Sequence, residues 1–242
     1  MQISTAGIVI RDYKLDDDRI LTILTESDGV LTAFANHALR PRSAMVSSTE
    51  LLCHSHFELF RNRERNVVDK ADLIRGFFSL RTRVEALALA CYFAQLMGEL
   101  APKGESAGDY INLMLGCLCY LESEKRPPLQ LKAILELRLL TLAGYMPDLV
   151  ECADCGVSGS GMCFSLEGRI YCPDCTKNYP LLIPLGDGVL AAMRHIIYSE
   201  AKKLFGFSLS EHGVESLAAI SEGYLIHQIE RTLPTLEYYN AL

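Results

Sequence analysis

At 242 residues, half of them hydrophobic and 22% charged, the chain is long enough for one large or two small domains and too apolar to be disordered. A formal net charge of −7 argues against indiscriminate polyanion binding, and the longest uncharged apolar stretch, Ala86 to Gly98, is well short of the ~20 residues that cross a bilayer. Nine cysteines would suit a secreted protein, but Met1-Gln-Ile-Ser-Thr lacks the basic and apolar regions of a leader, so a reducing cytosol is expected.

In chain order, Gly7 to Tyr13 is rich in branched residues and reads as a strand ending at the polar turn Asp16-Asp17-Asp18. Arg19 to Thr25 is a second strand, Ser27-Asp28-Gly29 a hairpin turn, and Val30 to Asn36 a third strand. The aspartate triplet lacks the glycine and distal glutamate of a calcium loop and reads as a solvated turn. A polar connection with Arg40-Pro41-Arg42 follows, and Thr49 to Phe60 and Asn66 to Ile74 give two more strands around Arg61-Asn-Arg-Glu-Arg65. Part of the fourth could instead be helical, because short apolar runs do not separate the two periods. Five short strands with turns between them predict a small antiparallel barrel or sandwich, for which a five-stranded OB barrel is the natural candidate.

After Ser79 the pattern changes to long apolar segments without internal proline. Val84 to Glu99, Tyr110 to Glu122 and Leu129 to Ala143 read as helices, the third closed by Gly144 and Pro147. Asp187 to Ser199 and Glu215 to Arg231 are further helices. The expected fold class is therefore α+β: an OB-fold barrel at 1–79, then a mainly helical domain at 80–242 with an inserted ribbon at 150–180.

The ribbon carries the strongest chemical signal. Cys152-Ala-Asp-Cys155 is followed after sixteen residues by Cys172-Pro-Asp-Cys175. Each pair lets two thiolates from one tight turn reach a single tetrahedral ion, which predicts one structural Zn2+ held by Cys152, Cys155, Cys172 and Cys175. Met162 to Ser165 and Arg169 to Tyr171 should form the hairpin that brings the pairs together. A redox dithiol would need one reactive pair at a helix start. Four thiolates leave no open position for substrate, and Glu151, Asp154 and Asp174 make the ribbon tip a poor phosphate contact. Cys163 reads as a small buried residue, and Cys53, Cys91, Cys117 and Cys119 as reduced core residues.

Charge is uneven. Met1 to Arg83 holds 12 Lys and Arg against 11 Asp and Glu, whereas the remainder holds 11 against 19. If Arg61 to Arg65 is extended, alternation puts Arg61, Arg63 and Arg65 on one face where they could follow a phosphate backbone, and Arg40, Arg42, Lys70, Arg75, Arg81 and Arg83 would widen that patch. The competing reading is a solvated hairpin tip with scattered arginines. Phe57, Phe60, Phe77 and Phe78 could stack bases, though each is expected in the core. No phosphate loop, His-Glu-x-x-His or complete Gly-x-Ser-x-Gly occurs, and His54 with His56 lacks a nearby acidic or cysteine partner, so no enzyme is expected.

The ordered set of Gly7-Ile-Val-Ile, Arg19-Ile-Leu-Thr-Ile-Leu-Thr25 with Gly29, Glu136-Leu-Arg-Leu-Leu140 with Gly144-Tyr145-x-Pro147, the two Cys pairs, and Arg231-Thr-Leu-Pro-Thr-Leu-Glu-Tyr-Tyr239 resembles the RecO family of bacterial recombination mediators over nearly the whole chain. The resemblance implies an N-terminal OB domain, a helical domain with a four-cysteine zinc site, and binding of single- and double-stranded DNA. It further implies strand annealing and joint action with RecR, RecF and single-stranded-DNA-binding protein to load recombinase, in the cytoplasm and at the nucleoid. The alternative is a zinc-containing protein-protein adaptor that never meets DNA, which the net negative charge favours.

Overall fold

The computed structural model describes residues 2–40, 42–62 and 65–242. The chain divides into two compact units, one running to Ser123 and taking in Leu233–Leu242, the other spanning Glu124–Thr232. Among the described residues no helix is long and apolar enough to cross a membrane.

In the first unit β1 (Gln2–Leu15), β2 (Asp18–Thr25), β3 (Gly29–Ala35), β4 (Cys53–Arg61) and β5 (Asn66–Gly76) form a closed barrel in the order β1-β2-β3-β5-β4. β1 is long because it serves two neighbours: its C-terminal half pairs with β2 and its N-terminal half with β4, with a bulge between Val9 and Arg11 that bends the strand round the barrel. Closure rests on a short parallel contact, Ala33 with Asn66 and Phe34 with Val67. The expected antiparallel barrel is thus antiparallel except at this seam. Alternation sends Leu21, Ile23, Leu31, Ala33, Phe57, Leu59, Val68 and Ala71 inward as one apolar cluster.

The turn between β2 and β3 is pinned from outside. Gly29 has φ +63°, and a Cβ there would lie 2.0 Å from the Pro102 carbonyl oxygen, so only glycine fits. Val30 N–H donates to that same oxygen at 2.8 Å, and Gly104 and Ala107 N–H donate to the carbonyls of Asp28 and Glu26. These bonds tie the barrel to the loop joining α1 (Val84–Leu100) to α2 (Gly108–Ser123).

The fourth strand starts at Cys53, four residues later than expected. Thr49 Oγ1 donates to the Met45 carbonyl at 2.6 Å, and Leu52 takes φ +65°, so the chain turns before it extends.

The second unit is built on α3 (Pro128–Leu142), whose Leu131, Ala133, Ile134, Leu135, Leu137, Leu139 and Leu140 are fully buried. It packs against α4 (Asp187–Tyr198) and α5 (Glu211–Ile229). α5 begins four residues before the apolar pattern suggests because Ser210 Oγ caps it, accepting from Gly213 N–H. Sequence reading missed α6 (Pro234–Asn240), a short helix opened by proline at its first position and packed on α1 in the first unit.

α3 also buries charge. Lys132 Nζ lies 2.8 Å from Glu136 Oε1 and 2.7 Å from Glu222 Oε2, and Ser221 Oγ donates to Glu136. Burial alone would pull the Lys132 pKa down, but the two carboxylates more than offset it and hold the ammonium charged. Lys132→Met should therefore strand a buried carboxylate and cost about 3–5 kcal/mol, whereas Lys132→Met with Glu136→Leu should recover much of that loss. Urea unfolding at pH 7 checks this, and a single variant as stable as the parent would contradict it.

Candidate nucleic-acid face and metal centre

The metal centre lies in the second unit, where β6 (Asp148–Cys152), β7 (Cys163–Ser165), β8 (Arg169–Tyr171) and β9 (Ile183–Pro184) make a small sheet in the order β6-β8-β7-β9. β7 and β8 pair antiparallel across residues 166–168, as the spacing predicts, with Gly168 at φ +85° in the turn. Each cysteine pair sits in a backbone knuckle. Gly156 N–H donates to the Cys152 carbonyl at 2.9 Å, with Gly156 at φ +72°, and Cys175 and Thr176 N–H donate to the Cys172 carbonyl.

The four Sγ atoms lie within 4.8 Å of one another, and Cys155 and Cys172 come to 3.6 Å, far beyond a disulfide. A tetrahedral ion with sulfur at ~2.3 Å needs sulfurs about 3.8 Å apart. The donor set and its spacing fit, so these cysteines could hold a metal ion. Cys152 and Cys172 are buried and Cys155 is exposed, which puts the site at the unit's surface. Cys163 pairs with Tyr171 in the hairpin and stands outside the group. Cys53 and Cys117 are buried and Cys91 and Cys119 partly so; burial raises all four thiols, Cys53 to about 11, which keeps them protonated and unreactive.

The nucleic-acid candidates lie on the barrel unit and differ sharply in what holds them. Arg40 Nε donates to Asp17 at 3.0 Å, while Arg61 donates to Asp28 and to Asn66, each at 2.9 Å. The Asp28 carboxyl is lowered by its Ser27 hydrogen bond and by Arg61. Lys70 is paired with Asp72, and Arg81 with Glu50 while its guanidinium covers the Phe78 ring. Arg75 is bound to Glu122 at 2.7 Å. Arg83 donates to the Leu121 and Glu122 carbonyls and so caps the end of α2.

Arg42 and Arg65 are different. Among the described residues neither has an acidic partner; Arg42 is exposed, and the Arg65 guanidinium lies 5.5 Å from the centre of the Phe34 ring. Arg63 lies outside the described residues. Of the expected arginine face, β4 ends at Arg61, and beyond it Asn62 N–H donates to the Arg65 carbonyl while Arg65 N–H donates to Asn62 Oδ1.

Of the four phenylalanines expected in the core, Phe57 and Phe77 are there, but Phe60 is 55% and Phe78 40% exposed. Phe34 was missed, although alternation along the third strand already places it opposite Ala33 and Ala35. His56 Nε2 is 2.8 Å from Ser4 Oγ, and burial lowers the pKa of His54. Both belong to the sheet's packing.

Comparison with known proteins now decides the family. The family model described as recombination protein O N terminal matches residues 1–77, and that described as recombination protein O C terminal matches 81–237. The chain belongs to the RecO family. A protein of Acetivibrio thermocellus named DNA repair protein RecO is 31% identical and aligns over 99% of this chain and 97% of its own length. RecO proteins so named in Symbiobacterium thermophilum and Desulforamulus reducens are 28% and 27% identical, each over 98% of this chain and 96% and 93% of their own. The RecO family boundary falls at residues 77–81, after the barrel, whereas the compact units meet at Ser123.

The metal assignment is testable directly. Cys152→Ser removes a buried ligand, so the purified variant should carry well under one metal ion per chain and lose about 4 kcal/mol or more of unfolding free energy, as losses of structural metals do. Elemental analysis with denaturant unfolding reads both; metal content and stability equal to the parent's would refute the site.

Proposed function

We propose that this chain is a DNA repair and recombination mediator that binds single- and double-stranded DNA through its barrel unit and promotes strand annealing. With RecR and RecF it helps load recombinase onto DNA covered by single-stranded-DNA-binding protein. The observation that carries the reading is the closed β1-β2-β3-β5-β4 barrel within a RecO-family chain, a barrel type that presents its β2–β3 face and adjoining loops to oligonucleotides. In this reading the ion is zinc, as four thiolates in tetrahedral spacing favour. It is structural, holding the ribbon while the helical unit offers partner surfaces. No side chain is assigned a catalytic role, and the site of action is the cytoplasm, at the nucleoid.

The ion pairs decide how the barrel would bind. Arg40, Arg61, Lys70 and Arg81 already face carboxylates, so each must exchange a partner to meet phosphate, whereas Arg42 and Arg65 need not. Few phosphate contacts and modest affinity follow, with RecR strengthening the complex. The same pairing, with a net charge of −7, is what favours the adaptor reading.

A salt titration separates the two. With labelled single-stranded DNA the log of affinity should fall with log salt by ~0.7 per contact, and Arg42→Ala with Arg65→Ala should reduce that slope by about 1.4. An unchanged slope would remove both residues from the interface. No binding at low salt, with or without RecR, would overturn the mediator reading in favour of the adaptor.

A further inference from the structure

The outer surface of the barrel holds a row of apolar side chains in register across four strands. Ile20 on β2 is paired with Phe34 on β3, Phe34 with Val67 on β5, and Val67 with Phe60 on β4. Paired residues share a sheet face, and the chain neighbours Leu21, Ala33, Val68 and Leu59 all belong to the interior cluster, so the row points outward. Ile20, Phe34 and Val67 are half-buried and Phe60 is exposed. With strands ~4.8 Å apart, the row is about 14 Å long and its two phenylalanines stand about 10 Å from each other.

We infer that Phe34 and Phe60 are stacking positions for unpaired bases, and that this row makes the barrel face select single-stranded over duplex DNA. The inference rests on the DNA-binding reading above and names its ligand state. Exposed apolar surface alone would suit many partners, but here a cation with no acidic partner among the described residues lies against the ring: Arg65 stands over Phe34. A ring beside a guanidinium fits a nucleotide, whose base has a π-face and whose phosphate is an anion. Bases in a duplex are stacked on one another and cannot reach the rings. Of the carboxylates nearest in sequence to the row, Asp18 accepts from the His37 N–H, Glu58 stands opposite Lys70 across β4 and β5, and Asp69 is exposed. The next pair along β2 and β3, Thr22 with Thr32, carries no charge.

The chain contains no tryptophan, so Phe34→Trp in the full-length protein would be its sole indole emitter. A base stacked on it should quench the emission on titration with oligo(dT), with much smaller change for a blunt duplex of equal length, while anisotropy of labelled DNA follows binding independently. Phe34→Ala with Phe60→Ala, both outside the barrel interior, should lower single-strand affinity about 10- to 100-fold. Duplex affinity should change less than threefold. Anisotropy showing oligo(dT) bound with indole emission unmoved would overturn the stacking while leaving DNA binding intact. So would equal losses on single strand and duplex. An indole that responds to an acidic peptide and not to oligo(dT) would assign the row to a protein ligand. Absence of DNA binding by the parent, with and without RecR, would instead remove the reading on which the inference rests.

Discussion

Two residue pairs, Ala33 with Asn66 and Phe34 with Val67, close the barrel, and most of what this chain offers to a ligand depends on them. The other seams are long antiparallel ladders that would form an open, curled sheet without this contact. With the contact made, alternation acquires a single inside. Leu21, Ala33, Leu59 and Val68 are sealed into one core, while their neighbours are displayed together outside. The same seam sets the start of β5 beside β3, which is why Arg65, just before Asn66, reaches Phe34.

Electrostatics then sorts the exposed cations. An arginine held by a carboxylate contributes little net field, and a phosphate that takes it must leave an acid behind. Arg40 and Arg61 belong to this class through Asp17 and Asp28, so the aspartates that make the stretch from Met1 to Arg83 nearly neutral also restrain its basic residues. Arg83 is engaged differently, as a cap on two carbonyls. A surface of this kind favours selective over indiscriminate contact with polyanions, because recognition falls to a few unpaired cations and to apolar shape.

The elements legible in the sequence were those with a strong local signal. Branched runs marked the strands, long apolar runs marked α1 to α3, and two Cys-x-x-Cys motifs marked the knuckles that converge at the four-sulfur cluster. What escaped was set by partners far away in the chain. The turn before Cys53 depends on Thr49 bonding back to Met45 and on a left-handed Leu52, neither visible as a pattern. α6 is too short to show a period. Arg40 and Asp17 are far apart in sequence, so counting arginines overstated the available positive charge. Phe34 had a legible alternation, but its significance came only with Val67 and Phe60 beside it, and those neighbours are products of barrel closure.

Amide hydrogen exchange with and without oligo(dT) tests the account most directly, because it reads every strand of the barrel at once. Protection should rise in β3 at Gly29–Ala35, at Phe60–Asn62 and at Arg65–Val67, and stay unchanged in the ribbon at 150–180. Protection confined to the ribbon or to α3 to α5, with the barrel unaffected, would contradict it.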